Sequence, residues 1–425
     1  MDVRQQRGLA LLQSKGTRIK QLTGTTWLVP SATNSSGGYV VAVANDQRSC
    51  TCPDAEAGNR CKHIFAVAYV RQEIELADGA TVTVEQRITY SQDWPNYNRA
   101  SREEPRWVRR FLKGLCDGIV QPPHPGRGPK PAHLADVVYA MTMKVYGGTS
   151  GRIAEDDFIA CEEKKLITKA PAYNTMFKYA AQPEVTPLLK VLVQEAGSVL
   201  RPVESTFAID SSGFARPSYS GGPGGNDDDD DEFTRKSTWR ENKFPKERRV
   251  QRWLKAHAQV GVDTGIITAV EVTNSIGEGT GDVSNAIPLL NATVDAGFNV
   301  KALCADKAYL DNALLTAVES VGAVPYVPFK TNSKPTGDSD AWRRLWHMVE
   351  ARNDEFKATY NQRQNVEAVF SGIKRRFSPN VRAKTFHGGV NEVLLKCLAW
   401  NLTRVVHAVH ELGIKPTFWS RLEAA

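Results

Sequence analysis

The sequence predicts an α/β fold preceded by two smaller parts, a hairpin-plus-helix module around a knot of cysteines and a cluster of short helices. Three observations carry this. Cysteines crowd between Cys50 and Cys61, with His63 beside them. Four segments of helical length, with Gly and Pro punctuating the joints, follow one another between Leu134 and Ala196. From Ser205 onward β-branched runs appear and then alternate with helical patterns.

In order along the chain, Thr26 to Val29 and Tyr39 to Ala44 flank a Ser/Gly turn at Ser35 to Gly38 and read as a hairpin. The cysteines follow, and Ile64 to Glu75 is an apolar segment of helical length. A helix is expected between Trp94 and Leu115, with Trp107, Val108, Phe111, Leu112 and Leu115 on one side. Gln121 to Pro131, rich in Pro and Gly, must be a linker. Four helices are expected at Leu134 to Tyr146, Arg152 to Lys165, Tyr173 to Ala181 and Val185 to Ala196. Strands are expected at Thr206 to Ile209, Ala256 to Val262, Ile266 to Val272 and Val300 to Ala305. Ser218 to Glu232, Gly-rich and then acidic, cannot build a core and reads as a flexible insert between the first two strands.

A chain of 425 residues, 41% hydrophobic and 24% charged, has the composition of an ordinary globular protein with two or three domains. No stretch approaches the ~18 uncharged apolar residues that span a bilayer, and Met1 to Lys20 lacks a signal-peptide core. No membrane partner and a cytoplasmic location are expected. Seven cysteines, three of them packed between Cys50 and Cys61, point to a metal site in a reducing compartment rather than to disulfides. The net charge of +7 conceals the acidic run Asp227 to Glu232, so the remainder is more basic than the total. Basic residues concentrate at Arg235 to Lys255 and at Lys357 to Lys384, which favours a polyanionic partner but is also compatible with a solvated basic face.

Cys50, Cys52, Cys61 and His63 stand as C-x-C-x8-C-x-H, two close ligand pairs joined by a loop in which Gly58 and Asn59 let the chain fold back. Four such ligands close a tetrahedral, structural zinc site, and Lys62 beside them favours the thiolates. The spacing resembles the SWIM zinc finger.

Tyr360, Arg363, Glu367 and Lys374 stand as Y-x2-R-x3-E-x6-K. On one helix, at about 100° per residue, they would fall within an arc of roughly 60°, while Val366, Val369, Phe370, Ile373 and Phe377 form an apolar stripe. One face packs and the other presents a carboxylate among cations. Arg363 and Glu367 could equally be a plain i,i+4 ion pair. Asp210 is expected at the end of an apolar strand before the turn Ser211-Ser212-Gly213, and Asp306 at the end of another, before Lys307-Ala308-Tyr309. Each aspartate alone could be a helix cap or turn residue. Together with Glu367 they are three hard oxygen ligands suited to Mg²⁺.

The constellation resembles the catalytic core of DDE transposases of the insertion-sequence type, with their YREK signature, in the RNase H-like superfamily. The resemblance covers about Ser205 to His410. It implies an RNase H-like mixed sheet with Asp210 on its first strand, Asp306 after its fourth and Glu367 on a following helix. It also implies two Mg²⁺ or Mn²⁺ ions at Asp210, Asp306 and Glu367, with Tyr360, Arg363 and Lys374 on DNA phosphate. The implied partner is double-stranded DNA, as element ends and target, bound by a homodimer or larger assembly. The implied activity is cleavage and strand transfer; a nuclease that cuts without joining, or a catalytically retired relative that only binds DNA, are the alternatives. Only about sixty residues separate Asp306 from Glu367, too few for the large β insertion of some relatives.

Expected boundaries are 1–85 for the zinc module, 86–130 for a helix and linker, 131–200 for a helical DNA-binding region and 201–412 for the catalytic domain. An insert at 215–245 and a tail at 413–425 complete the division. Smaller signals read blandly. Asp263-Thr264-Gly265 resembles the turn of aspartic proteases but, between two β runs, is a hairpin turn. Pro125 to Lys130 could be a minor-groove hook, though a Pro/Gly linker is favoured. His257, His347, His387, His407 and His410 have no paired ligands at metal spacing.

Overall fold

The computed structural model describes residues 3–15, 19–23, 25–31, 38–44, 47–70, 74–75, 81–82, 93–124, 126, 128, 130–216, 252–274, 279–336 and 339–419. The acidic run Asp227 to Glu232, the basic stretch up to residue 251, residues 35–37 of the expected hairpin turn, and Pro125, Arg127 and Pro129 lie outside the described residues. The chain divides into two compact units, Met1–Pro105 with Val405–Pro416, and Arg106–Arg404 with Thr417–Ala425.

The first unit opens with helix α1 (Val3–Lys15) and a four-stranded antiparallel sheet in the order β1 (Lys20–Gln21), β2 (Thr26–Pro30), β3 (Gly38–Ala44), β4 (Gln47–Cys50). The expected hairpin is β2–β3, with Trp27 opposite Val41 and Leu28 opposite Val40. Helices α2 (Pro53–Glu56) and α3 (Lys62–Val70) follow. Helix α3 ends five residues before the expected Glu75, because Ile74 and Glu75 pair instead with Val82 and Thr81 as β5 (Ile74–Glu75) and β6 (Thr81–Val82). Leu11, Ile19, Trp27, Val29, Val41, Ile64 and Val67 form the core beneath the sheet.

Helix α4 spans Trp94–Asp117. The four expected helices all form: α5 (Leu134–Gly147), α6 (Gly151–Glu163), α7 (Tyr173–Ala180) and α8 (Val185–Ser198). Ser150 caps α6, its Oγ accepting from Ile153 N, and Gly148 ends α5 in the left-handed conformation.

The second unit is built on a five-stranded sheet whose members in chain order are β7 (Thr206–Arg216), β8 (Arg252–Gly261), β9 (Ile267–Asn274), β10 (Ala302–Ala305) and β11 (Val324–Tyr326). In space the order is β11-β10-β7-β8-β9. β7, β8 and β9 pair antiparallel, whereas β10 runs parallel to both β7 and β11. The sheet is therefore mixed. Helix α9 (Asp282–Asp295) carries the chain across to β10, and α10 (Asn312–Ser320) joins β10 to β11, as parallel pairing requires. Then come α11 (Asp340–Ala351), α12 (Asn353–Tyr360), α13 (Gln364–Phe377) and α14 (Phe386–Leu412). Between Asp306 and Glu367, among the described residues, the single strand is the three-residue β11, so no large β insertion is present there.

The strand bearing Asp210 does not stop at a Gly turn. It continues through Ser211, Ser212 and Gly213 to Arg216, each paired with β8 as far as Arg252, because that long antiparallel ladder overrides weak local strand propensity. Residues 215 and 216, expected in the insert, belong to this strand.

Asp263-Thr264-Gly265 makes the turn between β8 and β9, with Gly265 at φ +70°, a conformation that suits glycine. The turn is clamped: Glu204 Oε1 accepts from Thr264 N at 2.6 Å, Trp400 Nε1 donates to Gly265 O at 2.8 Å, and Arg404 Nε donates to Thr264 O at 2.6 Å. Burial first, then the Asp263 charge, pushes the Glu204 carboxyl up to about 8. Fully buried Asn401 of α14 ties three elements together. Its Oδ1 accepts from Ile267 N at 2.9 Å, and its Nδ2 donates to Val193 O at 3.0 Å and Ile267 O at 2.7 Å.

Asn401→Ala removes three side-chain hydrogen bonds to buried backbone groups of α8 and β9, each contributing about 0.5–1.5 kcal/mol, so a loss of about 2–4 kcal/mol is expected. Urea unfolding followed by circular dichroism measures it. A change below ~1 kcal/mol would mean that these bonds are replaced by water.

Candidate functional site

Two sites emerge, one in each unit. In the first, β4 ends at Cys50 and a tight turn places Cys52 ahead of α2. Gly58, at φ +83°, turns the chain back, so that Cys61 and His63 arrive at the start of α3. The ligand atoms of Cys50, Cys52, Cys61 and His63 all lie within 4.8 Å of one another, and all four residues are buried. Donors of a tetrahedral zinc, about 2.3 Å from the metal, lie about 3.8 Å apart, so this set fits a closed structural site. The thiols share one hydrogen-bonded cluster. The bond from Cys50 holds the Cys61 thiol well down, to about 3; that same bond, with burial, pushes Cys50 up, and burial pushes Cys52 up. A lowered thiol is the species that binds metal. His63 Nδ1 stands 3.9 Å from Cys50 Sγ.

The second site lies on the mixed sheet. Asp210 sits within β7, and the parallel register pairs Ala305 of β10 with Ile209, so Asp306, the next residue on, comes up beside Asp210. Arg363 links the sheet to the following helix: Nη1 donates to Asp210 Oδ2 at 3.1 Å and Nη2 to Glu367 Oε1 at 2.6 Å. Burial, and next to it the charges of Asp306 and Glu367, push the Asp210 carboxyl up, while Arg363 and the Ser211 amide oppose the shift. Lys374 Nζ donates to Ser212 Oγ at 2.7 Å and lies 5.3 Å from the Phe214 ring centroid. Asp210, Ser212, Glu367, Ser371, Lys374 and Arg375 line an open cavity of about 520 Å³.

The helix bearing Glu367 docks as expected, with Val366, Val369, Phe370, Ile373 and Phe377 all buried. The signature does not lie on one helix, however. Tyr360 ends α12, Asn361–Arg363 form a 3₁₀ turn, and Glu367 and Lys374 belong to α13. The tighter winding places Tyr360 and Arg363 in line with each other. Tyr360 stacks on Phe356, with ring centroids 5.7 Å apart.

Asp210, Asp306 and Glu367 are neighbours that do not converge as metal ligands already do. Among the described residues, the only such set within 4.8 Å is the Cys/His cluster. Glu367 is drawn to Arg363, and Asp306 caps the 3₁₀ turn Lys307–Tyr309 by accepting from Ala308 N. The ion-pair and capping roles open to these residues in the sequence are thus both realised. Their chemistry still suits a divalent cation: three carboxylates, each a hard oxygen donor, are neighbours, and burial, with the charges of Asp306 and Glu367 behind it, raises Asp210.

Ser212, Ser371 and Arg375 were not expected at the site. Ser371 and Arg375 follow Glu367 at four-residue intervals, a helical spacing that could have revealed them. Behind β7, buried His257 pairs in register with Ser211, and Lys255 Nζ reaches Asp282 Oδ1 at 2.8 Å, a polar backing that no local pattern announces.

No helix among the described residues is long and apolar enough to cross a membrane. Neither the curated proteins nor the solved structures contain a significant match to this chain. Two family models do match: the transposase DDE domain over residues 201–402, which contains Asp210, Asp306, Arg363, Glu367 and Lys374, and the SWIM zinc finger over residues 39–72, which contains all four Cys/His ligands. The chain therefore carries a transposase DDE domain and, ahead of it, a SWIM zinc finger.

Proposed function

We propose that this protein is a DNA transposase that binds the ends of its mobile element, cleaves phosphodiester bonds and transfers the strands to target DNA. The observation that carries the reading is Arg363 joined to both Asp210 and Glu367 beside Asp306, within the matched DDE domain. Asp210, Asp306 and Glu367 are the residues that would hold two Mg²⁺ or Mn²⁺ ions. Bound there, the ions would activate the attacking water or 3′ hydroxyl and stabilise the leaving oxygen.

The chain's own groups do the rest. Arg363 neutralises the carboxylates and, by swinging off Glu367, offers its planar fork to a phosphate. Lys374, steadied by Ser212, sets a second cation at the cleft. Tyr360, held by its stack on Phe356, joins Arg363 and Lys374 as a contact to DNA phosphate. The partner is double-stranded DNA, bound by a homodimer or larger assembly, and the helical region at 131–200 contributes to the grip. The zinc module is a binding element, because its coordination shell is closed.

Asp210→Asn, Asp306→Asn and Glu367→Gln are each expected to remove Mg²⁺-dependent or Mn²⁺-dependent cleavage of labelled DNA carrying the sequences that flank the gene. The loss should exceed the roughly 10- to 100-fold typical of losing an outer-shell metal partner, with DNA binding retained. A variant that cleaves at the parental rate has lost nothing from the reaction, and its residue leaves the site. A parent protein that binds DNA but cuts none would favour the retired relative.

Arg363→Ala and Lys374→Ala should weaken DNA binding and each lower the slope of log affinity against log salt by about one. Unchanged slopes would show that neither side chain meets phosphate.

About one zinc per chain is expected by metal analysis of protein purified without chelator, with Cys61→Ser releasing it and unfolding the first unit's sheet. Protein that is free of zinc yet folded between Tyr39 and Val70 contradicts the assignment.

A further inference from the structure

The second unit holds a cavity of about 590 Å³ that none of the proposed catalytic residues lines. Its floor is apolar and buried, formed by Met141 of α5, Met176 of α7 and Leu395 of α14. Two aromatic side chains border it. Phe177 is 43% exposed despite its size, and its ring covers Gly151 so closely that a Cβ there would meet it at 2.6 Å. Tyr173 packs edge-to-face against Phe177, with centroids 6.2 Å apart.

Cations surround these rings. Lys144 Nζ lies 5.6 Å from the Phe177 centroid, Arg152 lies 5.5 Å from that of Tyr173, and Arg382 and Lys384 complete the rim. The one carboxylate in the lining, Glu392, is already engaged: its Oε2 accepts from the amides of Arg382 at 2.9 Å and Ala383 at 3.0 Å. Lys144, Arg152, Arg382 and Lys384 thus outnumber the single carboxylate of the lining four to one, and the cavity is net positive.

The cavity also adjoins the carboxylate cleft. Pro379 lines that cleft and bonds to β7, its carbonyl accepting from Ala215 N at 3.1 Å. Arg382 lies three residues further on, at most about 11 Å of extended chain. At about 3.4 Å per nucleotide along a strand, this is about three nucleotides.

We infer that this cavity receives an unpaired nucleotide of the DNA strand that leaves the carboxylate cleft. An apolar floor with aromatic rings suits a base face, and a cationic rim suits the flanking phosphates. A base paired and stacked in duplex cannot enter; an unpaired one can. Phosphate contacts alone would need the rim but not the floor. The inference rests on the DNA reading above and assigns a specific ligand to part of the helical region.

The test uses the full chain, a blunt duplex, and the same duplex carrying a short single-stranded tail with a fluorescent purine analogue. The tail should raise affinity and the analogue should be quenched. Tyr173→Ala and Phe177→Ala should each lower affinity for the tailed duplex about tenfold, leave the blunt duplex unchanged and restore the fluorescence. Tyr173→Phe and Phe177→Tyr, which keep a ring, should behave as the parent. Lys384→Ala, an exposed rim residue, should reproduce the selective loss without disturbing the packing. If the parent binds blunt and tailed DNA equally, or the alanine variants lose both alike, the inference fails while DNA binding stands. If the parent binds neither, the DNA reading fails and this inference with it.

Discussion

Arg363 reaches Asp210 on the sheet with one nitrogen and Glu367 on the helix with the other, and the site is organised around that bridge. Carboxylates brought together on a half-buried surface repel one another, and positive charge must lie between them if the fold is to hold them there. Arg363 is suited to this because its guanidinium stays charged and offers two parallel donors. The helix it belongs to is held independently. Five apolar residues of α13 face the core, and Asn365 Nδ2 donates to Val262 O at 2.8 Å, tying the start of α13 to the turn between β8 and β9. That turn is in turn fixed by Glu204, Trp400 and Arg404. The cleft is thus positioned by packing and clamps well away from its charged groups, so charge there can change partners without loss of the fold.

The topology explains why the aspartates meet. β7, β8 and β9 are joined in antiparallel succession, and β10 can reach the free edge of β7 only by a crossover, which α9 supplies. Parallel pairing with β7 then brings Asp306 alongside Asp210, though the two stand 96 positions apart in the chain. The capping bond from Ala308 and the ion pair to Arg363 hold Asp306 and Glu367 in orientations that differ from a closed ligand set. The zinc site is the opposite case. Its ligands lie within one hairpin end and one helix start and already converge, because closing so short a loop costs little entropy.

The Cys/His cluster, the apolar stripe of α13 and the four helices between Leu134 and Ser198 were legible in the sequence, since each is written in local spacing or in a periodic pattern. Local signals failed where distant partners decide. Ser211, Ser212 and Gly213 look like a turn and form a strand, because β8 offers a continuous ladder opposite them. Ile74 and Glu75 look helical and pair with residues 81–82. The Tyr360-to-Lys374 run reads as one helix and is interrupted by a 3₁₀ turn at Asn361–Arg363.

The sequence by itself determined which chemical groups are available: three thiols and an imidazole at ligand spacing, and carboxylates and cations beside apolar runs. Only the tertiary structure decided which of them meet. Arg363 and Asp210 are 153 residues apart, Lys374 and Ser212 are 162 apart, and the aromatic, cation-rimmed cavity draws its walls from α5, α6, α7 and α14. Spacing along a chain encodes the period of a helix or strand, but contacts over such separations follow from strand order, register and helix docking, which depend on burial across the whole domain.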